Sequence, residues 1–205
     1  MAVVGVLALQ GSFNEHIAGT LGVQGVEIRK PEQLNTISSL IIPGGESTTM
    51  AKLAEYHNLF PALREFVQMG KPVWGTCAGL IFLANKAIGQ KTGGQYLVGG
   101  LDCTVHRNFF GSQARHGGAI RWNGVFIWRN FGLPPSAIDN IYYNFEAELS
   151  VPELVSKEGG PETFCGIFIR APAILEAGPE VQVLADYPVP SSRLLSSDSS
   201  IEDQT

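Results

Sequence analysis

Cysteine is scarce in this 205-residue chain: Cys77, Cys103 and Cys165 form an odd set at wide spacing. That pattern is neither a disulfide framework nor a zinc site. It fits a reducing, cytoplasmic setting, and no metal or cofactor is expected. Basic runs are missing too. With 14 Lys and Arg against 19 Asp and Glu, the net charge is −5, and the chain lacks the electrostatic footprint of a nucleic-acid binder. No apolar run is long enough to cross a bilayer, so no membrane partner is expected. The N-terminal A-V-V-G-V-L-A-L lacks the basic flank and cleavage site of a signal peptide and reads as a buried strand. Internal repeats are absent. Histidine is confined to His16, His57, His106 and His116.

What is present is organised around K-P-V-W-G-T-C-A-G-L-I-F-L, residues 71–83. A short apolar run enters a G-T-C-A-G corner, and a helical pattern leaves it. That is the grammar of a nucleophile elbow. Gly75 and Gly79 flank Cys77 at two residues on each side, where a sharp corner leaves no room for a Cβ. At a helix N-terminus the dipole and free N–H groups favour a thiolate, and the same N–H groups can hold an oxyanion. A buried structural cysteine is the bland alternative.

The rest of the first half alternates strand and helix. Ala2 to Leu9 is a continuous apolar run of the central-strand type. Ser12 is a candidate cap for a helix from Phe13. Strands are expected at Val26 to Arg29 and Leu40 to Ile42, then helices at Met50 to Tyr56 and Phe60 to Met69. The elbow strand follows, with a helix from Ala78 to Ile88. P-G-G-E-S-T-T-M, residues 43–50, describes a loop that exposes N–H groups before a helix. This rhythm predicts an α/β fold, a doubly wound and mostly parallel sheet flanked by helices. Further strands are expected at Leu101 to His106, Phe164 to Arg170 and Val181 to Ala185. One domain is expected over 1–190, with an aperiodic aromatic insert at 114–144. The Ser-rich, acidic tail 191–205 has the composition of a disordered segment.

Five motifs in order carry a resemblance. L-A-L-Q-G-S-F-N-E-H, I-I-P-G-G-E-S-T-T-M, P-V-W-G-T-C-A-G-L-I, H-R-N-F-F-G-S-Q and G-I-F-I-R-A-P together resemble the glutaminase subunit of pyridoxal 5′-phosphate synthase. This is a class I glutamine amidotransferase, and the wording is most like plant members. The resemblance implies a flavodoxin-like fold and hydrolysis of L-glutamine to L-glutamate and ammonia. The ammonia passes to a synthase subunit, the implied partner, in vitamin B6 biosynthesis. It makes Cys77 the nucleophile and the backbone of Gly45 and Ala78 the oxyanion donors. Gly45, Glu46, Ser47, Arg107, Ile169 and Arg170 become the L-glutamine pocket. Without it, Glu46 reads equally well as a favourable charge at a helix N-terminus. Arg107 and Arg170 then read as strand-end surface charges.

The chain departs from that pattern in two places. The family supplies the general base and its orienting acid as an H-P-E motif near the C-terminus; this sequence has none. The triad His and Glu, and the last part of the fold, are therefore expected to be missing. Loss of the base costs such hydrolases several orders of magnitude, which predicts a chain with little glutaminase activity. His106 or His116 would be the substitute base if turnover occurs. Second, residues 114–144 separate Gln113 from Phe145, where the family runs on almost directly, as a splice variant or translated non-coding sequence would. The alternative to an active enzyme is thus a catalytically silent form that still binds the synthase or glutamine. A different cysteine hydrolase or a redox sensor is a weaker reading.

Overall fold

The computed structural model describes residues 2–19, 23–90, 93–107, 109, 143–149, 163–168, 172–183 and 185–186. They divide into two compact units, one of residues 1–107 and 176–181, the other of 108–175 and 182–205.

The first unit is built on four parallel strands in the order β2-β1-β3-β4: β1 Val3–Leu7, β2 Gln24–Ile28, β3 Ser39–Ile42 and β4 Val73–Gly75. The apolar run at the N-terminus takes an inner position, as its pattern predicts. Val6 and Leu7 are fully buried. Helix α1 spans Phe13–Ala18. A 3₁₀ turn, Pro31–Thr36, leads into β3. Helix α2, Ser47–Tyr56, buries Ser47, Met50, Ala51 and Ala54, the i, i+3, i+4, i+7 stripe of an amphipathic helix. Helix α3, Phe60–Gln68, buries Phe60, Leu63 and Phe66 at three-residue spacing and carries Pro61 in its first turn. These stripes meet Leu7, Ile28, Leu40 and Ile42 from the sheet, with Phe82, in one core. Burial of each such side chain stabilises by roughly 1.5–3 kcal/mol.

Helix α4 differs from expectation. It spans only Ala78–Leu83, and Ala84–Ile88 is a strand, β5. The sequence A-N-K-A-I tolerates a helix, but β5 pairs in parallel with β6, Leu101–His106, and that ladder outweighs the local preference. Glu176 and Gly178 complete this unit: Thr104 Oγ1 donates to Glu176 Oε2 at 3.0 Å and Gly178 N to Asp102 O at 2.7 Å.

The second unit contains an antiparallel sheet in the order β10-β7-β8. Tyr143–Leu149 (β7) pairs with Thr163–Phe168 (β8), from Tyr143 opposite Phe168 to Glu148 opposite Thr163. Strand β9 is Ala173–Ala177. The strand expected at Val181 to Ala185 is instead the short β10, Ala185–Asp186. Ile169, Arg170, His116, residues 114–142 and the tail 191–205 lie outside the described residues.

Candidate active site

Three loops at the C-terminal ends of β1, β3 and β4 converge, where an open parallel sheet places its chemistry. The corner after β4 is sterically determined. A Cβ on Gly75 would fall 2.6 Å from the Gly79 carbonyl, and one on Gly79 would fall 2.0 Å from Ile42 O. Only glycine fits at either position. Cys77 itself sits at φ 50°, ψ −103°, a strained geometry for a residue with a side chain. Gly79 N donates to Thr76 O at 2.8 Å, Thr76 N to Ile42 O at 3.1 Å and Ile81 N to Cys77 O at 3.1 Å. The corner is thereby tied to β3 on one side and α4 on the other.

The loop after β3 lies directly against it. A Cβ on Gly44 would meet Cys77 Cβ at 3.5 Å. The backbone N–H groups of Ala78 and Gly45 both bond to the Cys77 sulfur. The two amides singled out as oxyanion donors are therefore gathered on the sulfur. One expectation is corrected in sign. Burial pushes the Cys77 thiol above its ordinary value, and the Ala78 and Gly45 amides only partly offset that. Burial thus opposes the thiolate that the helix terminus favours.

A third loop, Gln10-Gly11-Ser12, braces the second. Ser12 does not cap α1 with its side chain. Its N–H donates instead to Gly44 O at 3.1 Å. Gln10 Oε1 accepts from Glu46 N at 3.0 Å, and the Gln10 amide fills the space beside Gly45 that a Cβ would occupy. Gln10 carried no role in the sequence reading. Its signals were its place in the L-A-L-Q-G-S-F-N-E-H motif and in the loop that follows β1, where loops carry chemistry.

Glu46 and Arg107 complete the arrangement. Glu46 caps α2, accepting from Thr48 N at 3.2 Å, Thr49 N at 2.6 Å and Thr49 Oγ1 at 2.9 Å. Its partial burial alone would raise the carboxyl pKa. The Thr49 and Thr48 donors outweigh it and hold the carboxyl below its ordinary range. The helix-terminus reading of Glu46 is thus realised in the fold. Arg107 follows β6, and its side chain is largely buried rather than a surface charge. Its Nη2 donates to Ser47 Oγ at 2.7 Å, Thr48 Oγ1 at 2.9 Å and, more loosely, Glu46 Oε1 at 3.3 Å. Arg107 Nε is buried with no partner among the described residues. A buried cation with an unused donor suits an incoming anionic oxygen.

Three of the histidines lie among the described residues. His16 stacks edge-on against Trp74 at 5.4 Å and His57 against Tyr56 at 5.0 Å. The His106 ring lies against Gly89, and its burial lowers its pKa. Among the described residues no group of three or more His, Cys, Asp or Glu is placed to hold a metal ion. No helix among them is long and apolar enough to cross a membrane.

A cysteine on a strained strand-to-helix corner, faced by two amides and a Glu–Arg loop on a parallel α/β sheet, is the geometry of a nucleophile elbow. Comparison with known proteins narrows it. Residues 6–120 match the SNO glutamine amidotransferase family, and the chain belongs to that family. It is 66% identical to the probable pyridoxal 5′-phosphate synthase subunit PDX2 of Arabidopsis thaliana, over 98% of this chain and 69% of that protein. It is 44% identical to the pyridoxal 5′-phosphate synthase subunit PdxT of Pelotomaculum thermopropionicum, over 90% of this chain and 76% of that one. A crystal structure of a glutamine amidotransferase superposes with a TM-score of 0.64 at 35% identity, covering 90% of this chain and 79% of that one. The α/β amidotransferase fold expected from the motifs is confirmed.

Proposed function

We propose that the chain is the glutaminase subunit of a pyridoxal 5′-phosphate synthase, hydrolysing L-glutamine to L-glutamate and ammonia. The observation that carries this is the convergence of the Gly45 and Ala78 amides on Cys77 Sγ. In this reading the sulfur of Cys77 adds to the side-chain amide carbon and the thiol proton passes to the amide nitrogen. The amide oxygen takes the negative charge and moves into the field of the Gly45 and Ala78 N–H groups. Collapse of that adduct breaks the C–N bond. The nitrogen, carrying the former thiol proton, leaves as ammonia, and a thioester remains on Cys77. Water then attacks the thioester, returning the thiol and releasing glutamate.

The substrate's two ends explain the rest of the site. Arg107 supplies the cation for the α-carboxylate, with its Nε donor still available. Glu46 and the loop backbone at Gly45 and Ser47 supply acceptors and an anion for the α-ammonium. Ile169 and Arg170 are assigned to the same pocket on the family motif. The ammonia is consumed by a synthase subunit; the relatives' names, as subunits of a pyridoxal 5′-phosphate synthase, support such a partner. A reducing compartment, the cytoplasm, suits the free thiols of Cys77 and Cys103.

The test is glutamate and ammonia release with the synthase partner present. Turnover that Cys77→Ala lowers on the order of a thousandfold or more supports the reading. Glutamine binding without turnover in the wild-type chain would favour the silent form. Absence of both would overturn the proposal.

A further inference from the structure

Gln95 lies between β5 and β6, outside every motif that carries the family resemblance. Its surroundings fix it. The Tyr96 ring meets Phe60 edge-on at 5.9 Å, Arg64 Nη2 donates to Leu97 O at 2.8 Å, and Val98 N donates to Phe82 O at 2.8 Å. The segment is anchored on the core immediately after residue 95, so the side chain is presented from a held backbone.

Gln95 Oε1 is 3.1 Å from Ser47 Oγ, and Ser47 is buried. The proton inventory sets the direction of each bond. A guanidinium only donates. Arg107 Nη2, 2.7 Å from Ser47 Oγ, therefore takes a lone pair of that hydroxyl. The hydroxyl proton has to point elsewhere, and Gln95 Oε1 is the acceptor that receives it. Remove that acceptor, and a buried hydroxyl is left with a proton to place and every reason to rotate. Its lone pair then no longer faces Arg107 in one fixed direction.

We propose that Gln95 is a positioning residue for the substrate: through Ser47 it holds the Arg107 guanidinium in the orientation that receives the α-carboxylate of L-glutamine. The inference rests on the glutamine reading of the site. Gln95 acts through Ser47 and Arg107, so its effect falls on binding of one end of the substrate.

The experiment reads affinity, without requiring turnover, from the concentration at which a ligand protects Cys77 against iodoacetamide. Labelling of residue 77 is followed by mass spectrometry in the full chain. Gln95→Leu is expected to weaken L-glutamine about three- to tenfold. It should change the affinity of 4-aminobutanamide, which is glutamine without its α-carboxylate, less than twofold. In a Ser47→Ala background Gln95→Leu should add nothing further, because the link is already cut. Gln95→Glu keeps an acceptor oxygen in place and should stay within about threefold of wild type, which answers the objection that the Leu variant is merely misfolded. Equal weakening of both ligands, or full additivity with Ser47→Ala, would show a structural role and overturn the inference while leaving the glutamine reading intact. A wild-type chain that L-glutamine does not protect overturns the glutamine reading, and this inference with it.

Discussion

The two loops that meet at Cys77 are held by opposite means. The corner from Gly75 to Gly79 is fixed by exclusion: any Cβ at either end would overlap backbone, and the residue between them is strained. The Glu46 loop is fixed by attraction: a carboxylate, three hydroxyls, a guanidinium and the Gln10 amide oxygen are joined by hydrogen bonds. Exclusion is steep and indifferent to solvent. Attraction through a side chain more than half exposed is shallow and responds to pH and salt. A reactive atom gains from the first kind of support. A pocket that admits and releases a zwitterion gains from the second.

The difference can be broken most sharply at Gly79. Gly79→Ala places a methyl 2.0 Å from Ile42 O, and a loss of about 4 kcal/mol or more is expected in denaturant unfolding. A loss under about 1 kcal/mol would mean that the corner yields, and that sterics do not set it. The next effect concerns the sulfur. Because burial outweighs the two amides, the rate of Cys77 alkylation should rise with pH through a midpoint above the ordinary thiol value of 9.0. A midpoint near neutrality would restore the helix-terminus thiolate expected from sequence. Cys103, pushed to about 11 by burial and then by the neighbouring Asp102 charge, should react later still.

The smallest effect lies in the polar loop. The folded Glu46 carboxyl binds its proton less tightly than the unfolded one. Its stabilising contribution is therefore complete above the ordinary value of 4.5 and is lost as pH falls through the lowered folded value. Glu46→Gln should cost about 0.5 kcal/mol at neutral pH, an N-cap magnitude discounted for exposure. It should also flatten that part of the acid limb in a pH series of thermal melts. An unchanged acid limb would assign the shift to some other group.

The same contrast explains what was legible in the sequence. Exclusion leaves a local signature, and glycines two residues on each side of Cys77 announce a corner before any coordinates exist. The parallel character of the sheet was legible because apolar runs alternate with helical patterns. Attraction leaves no such mark. Arg107 reaches Ser47 and Thr48 across some sixty residues of chain, and nothing local to V-H-R-N announces the contact. Helix α4 was drawn too long because A-N-K-A-I carries no breaker. What ends it is a ladder to Leu101–His106, which a window of residues cannot contain. Ser12 shows the same limit from the other side: its type suits a cap, but Gly44 O claims its N–H.

The strand order β2-β1-β3-β4 also governs assembly during synthesis. The first strand to leave the ribosome is an inner one, and it waits for partners on both flanks. Its second flank closes only when Ser39–Ile42 emerges. The reactive corner has nothing to lean on until Gly79 can meet Ile42, the last residue of that strand. The corner therefore needs the chain through Gly79, and the Arg107 side of the site needs some thirty residues more.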